Sequence, residues 1–351
     1  MNNTETGIIK ETNILYKVGN WFKSVAGITI CITIFLAIFG SIDQGPYILI
    51  NTLVTGGMWA LMAMGLALVF GVMNISNFAH GEFFMVGSLT AYYVFTPMQN
   101  YVRSNPGTLL SALAPIIAII GATLAGAVAG VLADRLVFYP LRRRSKQEWL
   151  MNCFLLTLGI SVILIYSHQL IFGTTFKGIP SYWNVKSISI FGVYLSFERL
   201  FVSILSIVVI FTFWLFMKVT RIGRAIRAVS QDESGALLMG ISVDRIQTLA
   251  MALSSGMAAL AGGSLLFMYP AYPMVGLEPL YNSWFVIVVV GFGNVGGAIA
   301  GGFIIALFQL LTRVYLGEGW EYVVPVLLIA LILIIKPNGI FGSKVRGIWE
   351  R

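Results

Sequence analysis

Nine stretches of this chain contain no aspartate, glutamate, lysine or arginine: 24–42, 47–81, 83–102, 104–133, 150–176, 200–217, 246–277, 279–312 and 322–335. A helix that crosses a bilayer needs about 20 apolar residues, because its 1.5 Å rise must cover about 30 Å of hydrocarbon. It also pairs every backbone polar group inside itself, which lipid demands. Only lipid as solvent fits the balance of residues, 58% hydrophobic and 10% charged, against about 25% charged in a globular domain. A soluble chain of 351 residues could not hide so much apolar surface. The expected fold is therefore all-α, a polytopic transmembrane helical bundle.

The window 47–81 holds one long helix, about 48–72, and then a polar turn; the next helix covers about 82–96. The window 279–312 is too long for one helix and breaks at Gly291-Phe292-Gly293-Asn294-Val295-Gly296-Gly297, giving two shorter passes. About ten spans result. The first apolar run follows Lys10, Lys17 and Lys23 and lacks a small-x-small cleavage signal, so it reads as an uncleaved anchor.

Lys/Arg asymmetry sets the expected orientation. Segments 134–149 and 218–245, with the two termini, hold seventeen Lys and Arg residues; the opposite side collects Arg103, Lys177, Lys186, Arg199 and Arg313. Ten passes then put both termini in the cytoplasm of a cell-membrane protein. The organisation is a cytoplasmic segment 1–23, a transmembrane domain 24–335 that includes the cytoplasmic loop 218–245, and a cytoplasmic tail 336–351. Trp21, Trp149, Trp183, Trp320 and Trp349 fall near span ends, as interfacial tryptophans do. The net charge of +8 sits beside apolar runs, so lipid and not nucleic acid is the expected neighbour. Cys31 and Cys153 have no CxxC or Cys/His spacing, so neither a zinc site nor a disulfide framework is indicated; they read as small buried hydrophobes. Gly126-x-x-x-Gly130, Ala258-x-x-x-Gly262 and Gly297-x-x-x-Gly301 read as helix-packing faces.

Three segments stand apart. The first, Gly71 to Glu82, sets Asn74, Ser76, Asn77, His80 and Glu82 between two apolar runs, and Glu82 is the only charged residue between Pro46 and Val102. At membrane depth such polar backbone must be buried in protein or line a water-filled path. Two uses are open: His80 and Glu82 cap helix ends and satisfy each other or nearby backbone, or they line a solute pathway. The second segment, with Gly291, Gly293 and Asn294, also joins two apolar halves, and corresponding breaks in two halves point to a transport path and an internal repeat. No Gly-Lys-Ser/Thr follows it, so it is not a phosphate loop. The third, Arg221 to Arg245, is amphipathic at helical spacing from Ala225 to Met239, with Gly240 as a stop signal. It suits a docking helix for a partner. A helix lying on anionic lipid fits less well, since Asp232, Glu233 and Asp244 would be repelled. His168 reads as a packing residue, and the proline-rich piece Tyr269 to Pro279 as a connector near the outer surface.

These residues resemble a known family. GVMNISNFAHGEFFMVG at Gly71–Gly87 is similar to the segment that begins the transport domain of branched-chain amino acid permeases of ABC importers. GRAIRAVSQDESGALLMGISVDRIQ at Gly223–Gln247 resembles their cytoplasmic coupling loop, VVVGFGNVGGAIAGGFIIAL at Val288–Leu307 and KPNGIFG at Lys336–Gly342 their closing segments. Urea permeases of the same superfamily share most of these features. The coupling loop departs from a strict EAA pattern, with Ser234 and Gly235 between Glu233 and Ala236. The resemblance implies one membrane half of an importer with a second, related permease chain, two ATP-binding subunits and an external solute-binding protein. It implies that ATP is bound by the partner subunits and that this chain needs no cofactor. The coupling candidates are Gly223, Arg224, Arg227, Asp232, Glu233, Ala236, Gly240 and Asp244. A secondary transporter or channel would carry paired buried acidic and basic residues in its spans, and these are largely missing. An intramembrane enzyme would show GxSxG, HExxH or paired aspartates there; none is present.

Overall fold

The computed structural model describes residues 24–105, 108–144, 149–179, 187–190 and 192–342. The segments expected at 1–23 and beyond Gly342, and with them Trp21, Trp183 and Trp349, lie outside the described residues. In chain order the helices are α1 (Val25–Gln44), α2 (Tyr47–Met73), α3 (His80–Ser104), α4 (Leu109–Ala133), α5 (Tyr139–Arg144), α6 (Trp149–Phe172), α7 (Phe197–Val219), α8 (Arg221–Gln231), α9 (Glu233–Leu238), α10 (Val243–Leu265), α11 (Leu277–Val290), α12 (Val295–Leu316) and α13 (Val323–Ile335). Among the described residues eight helices are long and apolar enough to cross a bilayer. With α3, which carries Glu82 and Arg103, and the 14-residue α11, they make up the ten expected passes.

Burial follows from residue pattern. α2 is apolar on every side, and such a helix is stable in a bundle only when surrounded; 83% of its most apolar stretch is buried. The corresponding share is 72% for α10 but only 17% for α1 and α6. The centre is thus α2 and α10, with α3, α4, α11 and α12 packed on them and α1, α6 and α13 outside. Close approach needs small residues. A Cβ on Gly126 would lie 2.2 Å from the Ala259 Cβ, and one on Gly130 would lie 2.8 Å from the Met251 carbonyl, so α4 meets α10 through the expected packing face. Gly262 likewise meets the Phe84 backbone of α3, and Gly301 meets Val286 and Val290 of α11.

Residues 134–144, 218–245 and 336–342 meet at one end, through Arg142 to Asp134 and Asp244 and through a shared cavity. Lys177, Arg199 and Arg313 are held elsewhere, by a bridge to Ala271 and by Asn51 and Glu321.

Four features differ from expectation. α4 does not stop at Asp134; a π-turn, Asp134–Phe138, carries it into α5, because the Asp134 carboxylate is buried against Arg142 instead of standing in solvent. A two-stranded hairpin, β1 (Ile188–Ile190) and β2 (Val193–Leu195), pairs Ile188 with Leu195 around Gly192 at φ 85°. β-branched and aromatic residues on either side of a glycine suit such a hairpin. The piece 269–279 is not simply an outer connector: its Gly276 lies against the backbone of Gly81, and Ala271 and Val275 are buried. Glycine on glycine lets the chain dip into the bundle before α11 begins. Cys31 faces outward on α1, while Cys153 is buried.

Candidate functional site

α2 ends at Met73 because Asn74 adopts φ 55°, the one positive φ at a non-glycine among the described residues. Asparagine tolerates this left-handed turn better than most side chains. The chain then reverses. His80 Nε2 lies 3.0 Å from the Met62 carbonyl, and its ring packs on Gly65. Met62 is about 16 Å back from the end of α2 at 1.5 Å per residue. Residues 74–79 therefore climb beside α2, and α3 begins deep in the bundle. Ile75, Asn77, Ala79, His80 and Glu82 are all buried there.

Such backbone needs partners, and several come from α6. Trp149 Nε1 donates to the Met73 carbonyl at 3.3 Å and the Thr157 hydroxyl to the Ser76 carbonyl at 3.2 Å. Asn77 Oδ1 accepts from the Ala79 N–H at 3.1 Å. A carbonyl can only accept, so His80 Nε2 carries the proton to Met62, while Nδ1 faces the Ser254 hydroxyl at 3.5 Å. Ser161 donates to Glu82 Oε1 at 2.7 Å. His80 and Glu82 are not bonded to each other; each has its own partner. Phe78 stacks on Trp284 of α11 and meets the edge of Phe154 of α6.

The second break is a joint of three chain segments. Gly291 and Gly293 take φ of 110° and 75°, and α11 ends between them and Val290. Asn294 caps α12 by accepting from the Gly297 N–H at 2.8 Å, and its Nδ2 donates to the Phe341 carbonyl at 3.0 Å. The segment 336–342 returns to α11: Ile340 and Phe341 N–H donate to the Val289 and Val290 carbonyls at 2.8 and 2.9 Å. Those carbonyls are among the four that a helix end leaves open. The two breaks touch, since a Cβ on Gly71 would lie 3.2 Å from the Gly293 carbonyl and Phe70 packs on Phe292 with ring centres 4.6 Å apart.

The segment Arg221 to Arg245 folds back tightly under α7. A side chain on Gly223 would strike the Phe216 and Met217 carbonyls. Arg224 Nη1 donates to the Val219 carbonyl at 2.9 Å, and Arg227 donates to the Met217 carbonyl. Both cations thus sit on the negative end of α7. The expected single helix Ala225 to Met239 is two helices, because Asp232 is extended (φ −154°, ψ 103°) and α9 starts after it. Ile226, Val229 and Ala236 are buried, but Leu237, Leu238 and Met239 are 63, 88 and 83% exposed. Gly240 at φ 80° closes α9: its N–H donates to Leu237 and that of Ile241 to Ala236, the paired bonds of a Schellman end. Glu233 is exposed, and Asp244 lies 3.8 Å from Arg142.

Asn74, Gly293, Asn294, Arg227, Asp232 and Glu233 all line one cavity of about 910 Å³. Asn77, His80 and Glu82 lie deeper, outside its wall. The structure therefore divides the pathway candidates into a cavity group and a buried group. Sequence reading missed two polar constellations. Asp134 Oδ1 takes Arg142 at 2.8 Å and Oδ2 takes the Thr248 hydroxyl at 2.6 Å; an acidic residue opening a basic segment was the available signal. Trp59, Gln309 and Asn282 form a buried chain across α2, α12 and α11, through Trp59 Nε1 to Gln309 Oε1 at 3.0 Å and Gln309 Nε2 to Asn282 Oδ1. Among the described residues no group of three or more His, Cys, Asp or Glu could hold a metal ion.

The chain is similar to several permeases. It is 28% identical to the high-affinity branched-chain amino acid transport system permease protein LivH of Salmonella typhimurium, over 83% of this chain and 94% of that protein. BraD of Pseudomonas aeruginosa, of the same description, is 28% identical over 84% of this chain and 94% of its own. A probable branched-chain amino acid transport permease protein, LivM of Methanocaldococcus jannaschii, is 22% identical over 82% and 91%. No solved structure matches. A model of the family described as branched-chain amino acid transport system / permease component matches residues 48–335, and the chain belongs to that family.

Proposed function

We propose that this chain is one membrane subunit of an ABC importer that translocates branched-chain or other aliphatic amino acids. An external solute-binding protein delivers the solute, two ATP-binding subunits supply the energy, and a second permease chain of related sequence, as LivH and LivM are to each other in name, forms the other half. The nucleotide sites belong to the ATP-binding subunits, and both termini are cytoplasmic. The cytoplasmic loop 218–245 lies within the transmembrane domain 24–335, which residues 1–23 and 336–351 flank.

The observation that carries this reading is the exposed triad Leu237, Leu238 and Met239. Three consecutive large hydrophobes at the charged end of a membrane protein are an unfilled contact. They stand on a two-helix element whose inner face lines the same cavity as both helix breaks. A push on the triad therefore reaches the breaks through α8, without passing through the lipid-facing helices. Closure of the ATP-binding subunits moves this element and rocks the spans between inward and outward openings.

The test replaces Gly240 with valine and Glu233 with lysine. Valine cannot hold φ 80° without strain, so α9 loses its end. ATP-dependent leucine uptake by the assembled importer should fall while membrane insertion survives. Unchanged transport removes the coupling role, and uptake of urea in place of leucine reassigns the solute.

A further inference from the structure

Buried polar atoms normally find a partner. Ten buried side-chain nitrogen and oxygen atoms among the described residues have none. Five of these belong to Asn77, Glu82, Trp284 and His168, and these residues share one seam. On its far side is α6, whose buried or half-buried positions Cys153, Thr157, Ser161, Leu164 and His168 form a single stripe at helical spacing. Thr157 and Ser161 reach across to Ser76 and Glu82, Phe154 meets Phe78, and Phe172 meets Tyr93. Beyond this stripe α6 is outward-facing. A few polar pins and ring contacts hold it, and in a membrane such pins contribute little each. It is the most separable wall next to the first break.

Apart from those of His168, which stacks on Phe172 farther along α6, the unpaired atoms are chemically of two kinds. Glu82 keeps one free carboxylate oxygen, Oε2, which can only accept while ionised. Asn77 Nδ2 and Trp284 Nε1 can only donate. Phe78, Phe154 and Leu164 give the seam apolar walls. One acceptor carboxylate, two donors and an apolar wall complement a zwitterion with an aliphatic side chain. Urea, which has no charged group, would leave the carboxylate uncompensated.

We propose that the seam between α6 and the start of α3 recognises the charged head group of the solute, with Glu82 receiving the ammonium group and Asn77 and Trp284 donating to the carboxylate. α6 is the wall that moves aside to admit it. This rests on the amino-acid reading above and extends the site to Ser161 and Trp284.

The experiment uses the complete importer in vesicles, with Cys31→Ala and Cys153→Ala as background. Glu82→Gln should lower leucine uptake roughly tenfold or more, the equivalent of one charge-assisted hydrogen bond. The ATP-binding subunits should still copurify at wild-type yield, and Glu82→Asp should recover part of the uptake. In the same background Ser161→Cys should react with a water-soluble thiol reagent in at least one nucleotide state, while Val162→Cys on the outward face does not. Leucine should slow that reaction, and 4-methylpentanoate, which lacks the ammonium group, should not. A Ser161→Cys that is unreactive in every state overturns the seam. So does equal protection by both compounds, wild-type uptake by Glu82→Gln, or loss of copurification with uptake. A wild-type importer that takes up no leucine while Ser161→Cys still reacts counts against the solute assignment alone.

Discussion

Arg142→Met removes the cationic partner of a carboxylate that has no exposure to solvent. Asp134 holds Arg142 Nη1 at 2.8 Å and the Thr248 hydroxyl at 2.6 Å, and the Arg142 side chain is itself 12% exposed. Stranding one member of a buried pair costs about 3–5 kcal/mol. The Thr248 hydrogen bond survives and the site lies near a bundle end, so the expected loss is at the low end, about 3 kcal/mol. Asp134→Asn keeps a partner for Thr248 and leaves Arg142 able to reach Asp244, 3.8 Å away; about 1–2 kcal/mol should be lost. Asp134→Leu with Arg142→Met removes both charges and should cost less than the sum of the single changes, by at least about 1 kcal/mol. Equilibrium unfolding of the purified chain in mixed micelles with rising SDS measures all of these. Additive losses, or an Arg142→Met chain within about 0.5 kcal/mol of wild type, would refute the argument. The pair matters beyond stability, because it ties the end of the α4 rod to the first turns of α10, directly after α8 and α9.

Two further outcomes follow from close contacts. Gly87→Ala would place a Cβ 2.1 Å from the Ala259 carbonyl of α10; backbone cannot yield as a side-chain tip can, so about 1–3 kcal/mol should be lost, and an unchanged unfolding midpoint would sink the contact. Asn294→Asp keeps the cap on α12 but loses the donor to Phe341, whereas Asn294→Ala loses both; the alanine variant should lose about 1 kcal/mol more than the aspartate one. Protease cleavage near Phe341 should rise in both, and an intact 336–342 segment would contradict the role given to Asn294.

The long apolar windows made the ten passes legible, since lipid leaves backbone no alternative. The unusual polarity of residues 74–82 was legible for the same reason. The direction taken after Met73 was not, because nothing local records that His80 will bond Met62. Thr157 and Ser161 also gave no signal. Hydroxyls in apolar helices ordinarily bond the carbonyl four residues back, as Thr29, Thr33 and Thr123 do here, so two that reach across to another segment look the same in sequence. The break at Asp232 was hidden by a continuous amphipathic pattern on either side. Trp59, Gln309 and Asn282 join across some 250 positions, and each alone is an unremarkable polar residue in an apolar run.

The return of residues 336–342 onto α11 has a consequence for how the molecule is made. The segment that seals the Val289 and Val290 carbonyls follows α12 and α13 in the chain. Until residues 336–342 have docked, a folding chain holds a short helix with an unfinished end inside the bilayer. The joint between α11 and α12 can therefore close only once the two helices that follow it are already in place.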